Sequence, residues 1–210
     1  MVMLQFITHH NAQYDYMSGA IAALKGGCKW IQLRMKDAQL DEIGRVLTQL
    51  KPICQEYNAI LIIDDHVELV AEFDIDGVHL GKNDMSPLQA RDILGEKYII
   101  GGTANTFNDI VRLHKEGVDY IGLGPFRYTQ TKQNLSPVLG IDGYKKILSQ
   151  CHDASITTPI VAIGGIECSD IPHIIETGVS GIAMSGAILR SEAPEQTTRD
   201  IIETLNKYYL

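Results

Sequence analysis

Residues 60–95 read ILIIDDHVELVAEFDIDGVHLGKNDMSPLQARDILG. Two apolar runs, Ile60–Asp65 and Gly77–Gly81, show little alternation of polar and apolar residues. That is the pattern of strands buried on both faces. After the second run, Ser86-Pro87-Leu88-Gln89 supplies an N-cap serine, a proline in the first helical turn and a capping-box glutamine three residues after the cap. Gly95 closes that helix. The stretch is thus strand, helix, strand, helix, the grammar of a parallel α/β fold.

The same unit recurs in both directions. Further strands are expected at Leu4–Thr8, Lys29–Arg34, Ile99–Thr103, Tyr120–Pro125, Ile160–Gly164 and Gly181–Ser185. Leu40, Ile43, Leu47, Leu50 and Cys54 step by three and four, which places them on one helical face. Thr106 and Asp109 open a helix that Gly117 ends, Ser169 caps another that stops near Gly178, and Ala193–Tyr208 forms the eighth. Eight strands each followed by a helix in 210 residues most simply close into a single parallel TIM (β/α)8 barrel, residues 1–210 forming one catalytic domain. The runner-up, an open doubly wound sheet, more often carries a glycine fingerprint after its first strand. Here that strand runs into Thr8-His9-His10-Asn11.

Composition narrows the function. Hydrophobic residues make up 45% and charged residues 21%, which excludes a disordered or fibrous chain. No apolar run approaches the ~18 residues of a membrane span, and the N-terminus does not read as a signal peptide. Cys28, Cys54, Cys151 and Cys168 show no metal or redox spacing, so free thiols in the cytoplasm are expected. A net charge of −8 argues against nucleic acid as a partner, and small-molecule substrates are expected instead. An anionic ligand then needs a local cluster of cations. Oligomeric state is not legible, and a homo-oligomer stays open.

In such barrels the active site lies at the C-terminal strand ends. Gln32, Arg34 and Lys36 step by two and so share one side of the second strand. Two cations and an amide suit a diphosphate, although a solvated strand end or an ion pair with a neighbouring acid reads equally well. Asp64 and Asp65 end the third strand and Asp84 follows the fourth. Carboxylates on adjacent units suit Mg2+, which takes a few carboxylates plus water and phosphate oxygens; helix capping is the plainer alternative. After the sixth strand, a long loop offers Thr129, Thr131 and Lys132. Gly164-Gly165 and Ser185-Gly186 follow the seventh and eighth strands, where phosphate-binding barrels present backbone N–H groups, although glycine there also serves packing. His79 reads as a packed core residue, and His9, His10 and Asn11 have no assigned role.

Taken in order, these segments resemble the thiamine phosphate synthase (thiamine-phosphate pyrophosphorylase) family. The resemblance rests on Gln32-Leu33-Arg34-Met35-Lys36, Ile63-Asp64-Asp65, Gly77-Val78-His79-Leu80-Gly81 with Asp84, Gly102-Thr103-Ala104-Asn105-Thr106, Gly124-Pro125 with Thr129-Gln130-Thr131-Lys132, Ala162-Ile163-Gly164-Gly165-Ile166 and Met184-Ser185-Gly186-Ala187-Ile188. It implies a transferase of thiamine biosynthesis with Mg2+ as cofactor. Gln32, Arg34, Lys36 and Asp64 would bind a pyrimidine diphosphate, Asp65 and Asp84 the metal, Thr103 the aminopyrimidine and Lys132 the diphosphate. Thr129, Thr131, Gly165, Ser185 and Gly186 would hold a thiazole phosphate. Arg34, Lys36 and Lys132 would be the catalytic cations. Asp64 stands where asparagine is commoner in the family, Thr103 where serine is usual and Gly186 where serine is common.

The implied reaction joins hydroxymethylpyrimidine diphosphate to thiazole phosphate and releases diphosphate. The attacking ring nitrogen is neutral, so no general base is required, which fits the absence of an obvious catalytic histidine or cysteine. Stabilising the departing diphosphate makes a dissociative step plausible. Two other readings share the scaffold: a thiazole tautomerase without metal, and a non-catalytic barrel that binds a phosphate ligand.

Overall fold

The computed structural model describes residues 3–128 and 137–208. Eight parallel strands close into a barrel in sequence order: β1 (Met3–Ile7), β2 (Trp30–Leu33), β3 (Ile60–Asp64), β4 (Gly77–Leu80), β5 (Ile99–Ala104), β6 (Tyr120–Leu123), β7 (Ile160–Ile163) and β8 (Gly181–Met184). Closure is made where β1 pairs with β8, Met3 facing Gly181 and Phe6 facing Met184.

The helices are α1 (Tyr16–Lys25), α2 (Leu40–Glu56), α3 (Val67–Phe73), α4 (Pro87–Leu94), α5 (Phe107–Lys115), α6 (Gly140–Asp153), α7 (Ile171–Ile175), α8 (Gly186–Leu189) and α9 (Pro194–Lys207). The capping boxes at Ser86/Gln89 and Thr106/Asp109 both form. In α2, Ile43, Leu47, Leu50 and Cys54 are buried against the barrel. Leu40 departs from the expected face: as the first residue of the helix it stays exposed, and buried Gly44 lies against the Phe73 ring instead. Ser169 is not a cap. A 3-10 turn at Cys168–Asp170 precedes α7, and Glu167 and Asp170 form the box. The terminal helix is the ninth, because α8 intervenes after β8. Among the described residues no helix is long and apolar enough to cross a membrane.

The barrel has two apolar regions. The larger shell lies between strands and helices and includes Phe6, Ile31, Leu33, Leu47, Ile63 and Ile182. The smaller comprises Ile7, Trp30, Ile62, Tyr120, Val161 and Ala183. The Trp30 and Tyr120 rings meet edge-to-face with centroids 4.7 Å apart. They belong to β2 and β6, which are not neighbours, so this contact crosses the lumen. Room for it comes from Gly101 on β5, where a Cβ would overlap the Tyr120 ring. The lumen is therefore a packed floor, and polar side chains gather above it at the strands' C-terminal ends.

Candidate active site

The first sector of the mouth is built by β2 and β3. Gln32 is 2% exposed, and its amide nitrogen donates to Oδ1 of Asp64. Arg34 lies just past the end of β2, its backbone N–H held by Thr8 Oγ1 at 2.9 Å. Its Nε stands 3.4 Å from Oδ2 of Asp64. The ion-pair reading of Arg34 is thus met, and Asp64 joins the amide to the guanidinium. Oε1 of Gln32 is buried without a partner, an acceptor facing no donor. Lys36 does not join this cluster: it is exposed on the following turn and makes no hydrogen bond or ion pair among the described residues.

The second sector is a pair of carboxylates. Asp65 occupies a left-handed backbone conformation with φ 67°, uncommon outside glycine and found where local structure demands it. Its N–H donates to His79 O at 3.0 Å, which ties the end of β3 to β4. Asp84 accepts from Gly81 N–H at 2.7 Å, and its side chain is within hydrogen-bonding contact of Asp65. Burial, then the hydrogen bond and charge of Asp84, push the Asp65 carboxyl up to about 6, against the opposing influence of His66 and Arg34. Capping does not explain either residue. Helix α3 starts after His66 with no side-chain cap, and α4 is capped by Ser86. Among the described residues no group of three or more side chains forms a metal cage. Two touching carboxylates that repel fit an ion taking its other ligands from water and substrate.

The third sector is a polar chain through the upper lumen. Gln5 Nε2 donates to the Tyr120 hydroxyl at 3.1 Å. That hydroxyl lies 2.8 Å from His79 Nδ1, and His79 Nε2 lies 2.9 Å from Thr103 Oγ1. Burial holds the Tyr120 phenol well above its ordinary value, so it keeps its proton and donates a hydrogen bond to Nδ1. The remaining proton sits on Nε2 and points at Thr103, whose own hydroxyl proton is left to face a ligand. His79 is packed, as its strand position suggests. The sequence did not reveal that both its ring nitrogens are engaged, and the one signal was the glycine opposite Tyr120.

The fourth sector joins the loops after β6, β7 and β8. Gly164 and Gly165 have φ 98° and 68°, conformations that side chains rarely adopt. A Cβ on Gly165 would also meet the carbonyl oxygens of Arg127 and Tyr128 at 2.9 and 3.0 Å. Arg127 clamps this arrangement, donating to Gly165 O at 2.8 Å and to both oxygens of Asp170 at 2.7 and 2.8 Å. Ser185 precedes α8 without capping it, and its Oγ is buried with no partner. Thr129, Thr131 and Lys132 lie outside the described residues. Asn11 accepts from Gln13 and Tyr14 N–H at 2.8 Å each, and its amide nitrogen donates to Leu189 O at 3.4 Å. Burial, followed by the nearby charge of Arg34, lowers the His9 pKa.

A TIM barrel whose mouth combines cations, a carboxylate pair and glycine loops is the frame of a phosphate-handling enzyme. Residues 4–188 match the family model described as thiamine monophosphate synthase. A thiamine-phosphate synthase of Bacteroides thetaiotaomicron is 60% identical over 202 residues, covering 96% of this chain and 97% of the relative. One from Flavobacterium psychrophilum is 46% identical over 204 residues, covering 97% of each. The solved thiamine phosphate pyrophosphorylase of Pyrococcus furiosus superposes with a TM-score of 0.88 at 30% identity, covering 100% of this chain and 98% of that one. The chain belongs to the thiamine monophosphate synthase family, a family of transferases in thiamine biosynthesis.

Proposed function

We propose that the protein condenses hydroxymethylpyrimidine diphosphate with thiazole phosphate, giving thiamine phosphate and diphosphate. The observation that carries the reading is the contacting pair Asp65–Asp84 beside Arg34 at the ends of β3 and β4. Carboxylates there would repel a diphosphate unless a divalent cation reverses the local sign. Asp65 and Asp84 would hold Mg2+, which when bound neutralises charge on the departing diphosphate. A tautomerase or a binding barrel leaves this pair without a purpose.

The chain's own groups do the rest. Arg34, Lys36 and Lys132 meet the negative charge that grows as the C–O bond to diphosphate breaks. Gln32, fixed by Asp64, turns its unpartnered Oε1 to an N–H of the aminopyrimidine. Thr103, oriented by His79, donates to a ring nitrogen. Gly165, Ser185 and Gly186, with Thr129 and Thr131, hold the thiazole phosphate so that its ring nitrogen faces the pyrimidine methylene. That nitrogen contributes the electron pair of the new C–N bond and keeps the positive charge, so no residue need remove a proton. The whole chain acts as one catalytic domain on small-molecule substrates. The four free cysteines support a cytoplasmic setting.

The test is to incubate the protein with both substrates and Mg2+ and to quantify thiamine phosphate and diphosphate. Equal amounts of the two products are expected, lost in excess chelator and restored by Mg2+. Full turnover in excess chelator would overturn the metal assignment. No thiamine phosphate under any condition would overturn the reaction.

A further inference from the structure

We propose that Arg190 is the side-chain cation that binds the phosphate of the thiazole substrate. The inference rests on the reaction proposed above and adds a residue to it. The three cations placed in that reaction all serve the diphosphate. The groups placed at the other phosphate, from Gly165, Ser185, Gly186, Thr129 and Thr131, are neutral. A phosphate monoester carries close to two negative charges at neutral pH, and this chain carries a net charge of −8. Holding such an anion against that field calls for a local positive charge.

Arg190 is where the charge is needed. It ends α8, and its backbone N–H donates to Gly186 O at 2.9 Å, so the two residues lie on one face of the helix, one turn apart. Its guanidinium folds back over Gly186: a Cβ at that position would overlap Nη1. The other terminal nitrogen, Nη2, lies 2.7 Å from Glu167 Oε1, on the loop that continues from Gly164-Gly165. The guanidinium therefore spans the loop after β7 and the first residue of α8, the two segments assigned to the phosphate. The missing side chain at 186 is what admits it.

The two arginines of this region differ in how far they are committed. Arg127 makes three hydrogen bonds, two of them to a largely buried carboxylate, and is a structural clamp. Arg190 has one ion pair, with side-chain exposures of 63% for itself and 48% for Glu167. An exposed single-point pair contributes little and gives way to a better anion. A phosphate offers a guanidinium two parallel acceptors.

Arg190→Gln should raise KM for thiazole phosphate about tenfold or more, the scale of losing a charge-assisted contact, with KM for the pyrimidine diphosphate and Tm unchanged. Arg190→Lys should restore part of the loss. A second readout is independent of turnover: calorimetric binding of inorganic phosphate with Mg2+ and diphosphate already saturating the other subsite. Affinity should fall by a similar factor in Arg190→Gln. Phosphate affinity and thiazole phosphate KM both at wild-type values would overturn the inference and leave the reaction standing. A wild type that makes no thiamine phosphate would defeat the reaction, while the calorimetry would still report on Arg190.

Discussion

The two sides of the barrel mouth are built by different means. Around β2, β3 and β4 it is built of side chains: Gln32, Arg34 and Asp64 joined to one another, and Asp65 against Asp84. Around β7 and β8 it is built of backbone: Gly164 and Gly165 in left-handed conformations, and a short helix opened by Ser185 and Gly186. The difference suits what the proposed reaction asks of each side. A departing diphosphate gains charge during the reaction, so stabilising it takes full charges that respond to that change. The phosphate on the other substrate keeps its charge throughout, so backbone donors that fix position suffice for catalysis, and added charge there serves affinity.

This contrast can be broken in order of expected effect. Asp65→Ala and Asp84→Ala should each cost on the order of 10³-fold or more in kcat, since a bound cation supplies several kcal/mol of charge stabilisation. The double variant should lose little beyond either single one, because both changes damage the same site. Additive losses in steady-state kinetics would separate the two residues. Lys132→Ala should lose about 2–4 kcal/mol of transition-state stabilisation with an unchanged melting transition. Full activity in that variant would remove the lysine from the leaving-group side.

Gly165→Val tests the backbone side. Valine is strained at φ 68°, and its Cβ meets the Arg127 and Tyr128 carbonyls. KM for thiazole phosphate should rise far more than KM for the pyrimidine diphosphate; equal rises would erase the distinction between the sectors.

The smallest effect is on stability. The Asp65 carboxyl, pushed up to about 6 by burial and by Asp84, holds its proton more tightly folded than unfolded. Its contribution is therefore fully present below about 4, the ordinary carboxylate value, and is lost as pH rises through about 6. In metal-free protein, Asp65→Asn should melt progressively higher than wild type across that window, and saturating Mg2+ should shrink the gap. A gap independent of pH would mean that Asp65 and Asp84 do not share their charge.

Much of the fold was legible because strands buried on both faces leave unbroken apolar runs: six of the eight strands fall within those runs, and β1 and β5 overrun theirs by one residue each, Met3 and Ala104. Helix α8 was not, since Gly186–Leu189 is too short to show a period, and the exposed Leu40 shows that a helical face does not reach its first residue. At the mouth, the order of residues along the chain was enough to bring Gln32, Arg34 and Asp64 together, and Asp65 to Asp84, as their contacts show. It could not find pairings made only by closure of the barrel. Gln5 meets Tyr120 across 115 residues, and Arg127 meets Asp170 across 43. Nor could it separate Lys36 from its neighbours: alternation gives the side of a strand, but the strand ends at Leu33, three residues before Lys36.

The central claim, that Asp65 and Asp84 jointly hold Mg2+ for the leaving diphosphate, is most directly tested by calorimetric titration of Mg2+ into the protein with diphosphate present. The account predicts saturable binding to the wild type and its loss in both Asp65→Asn and Asp84→Asn, each variant remaining folded. Wild-type Mg2+ affinity in either variant would contradict it.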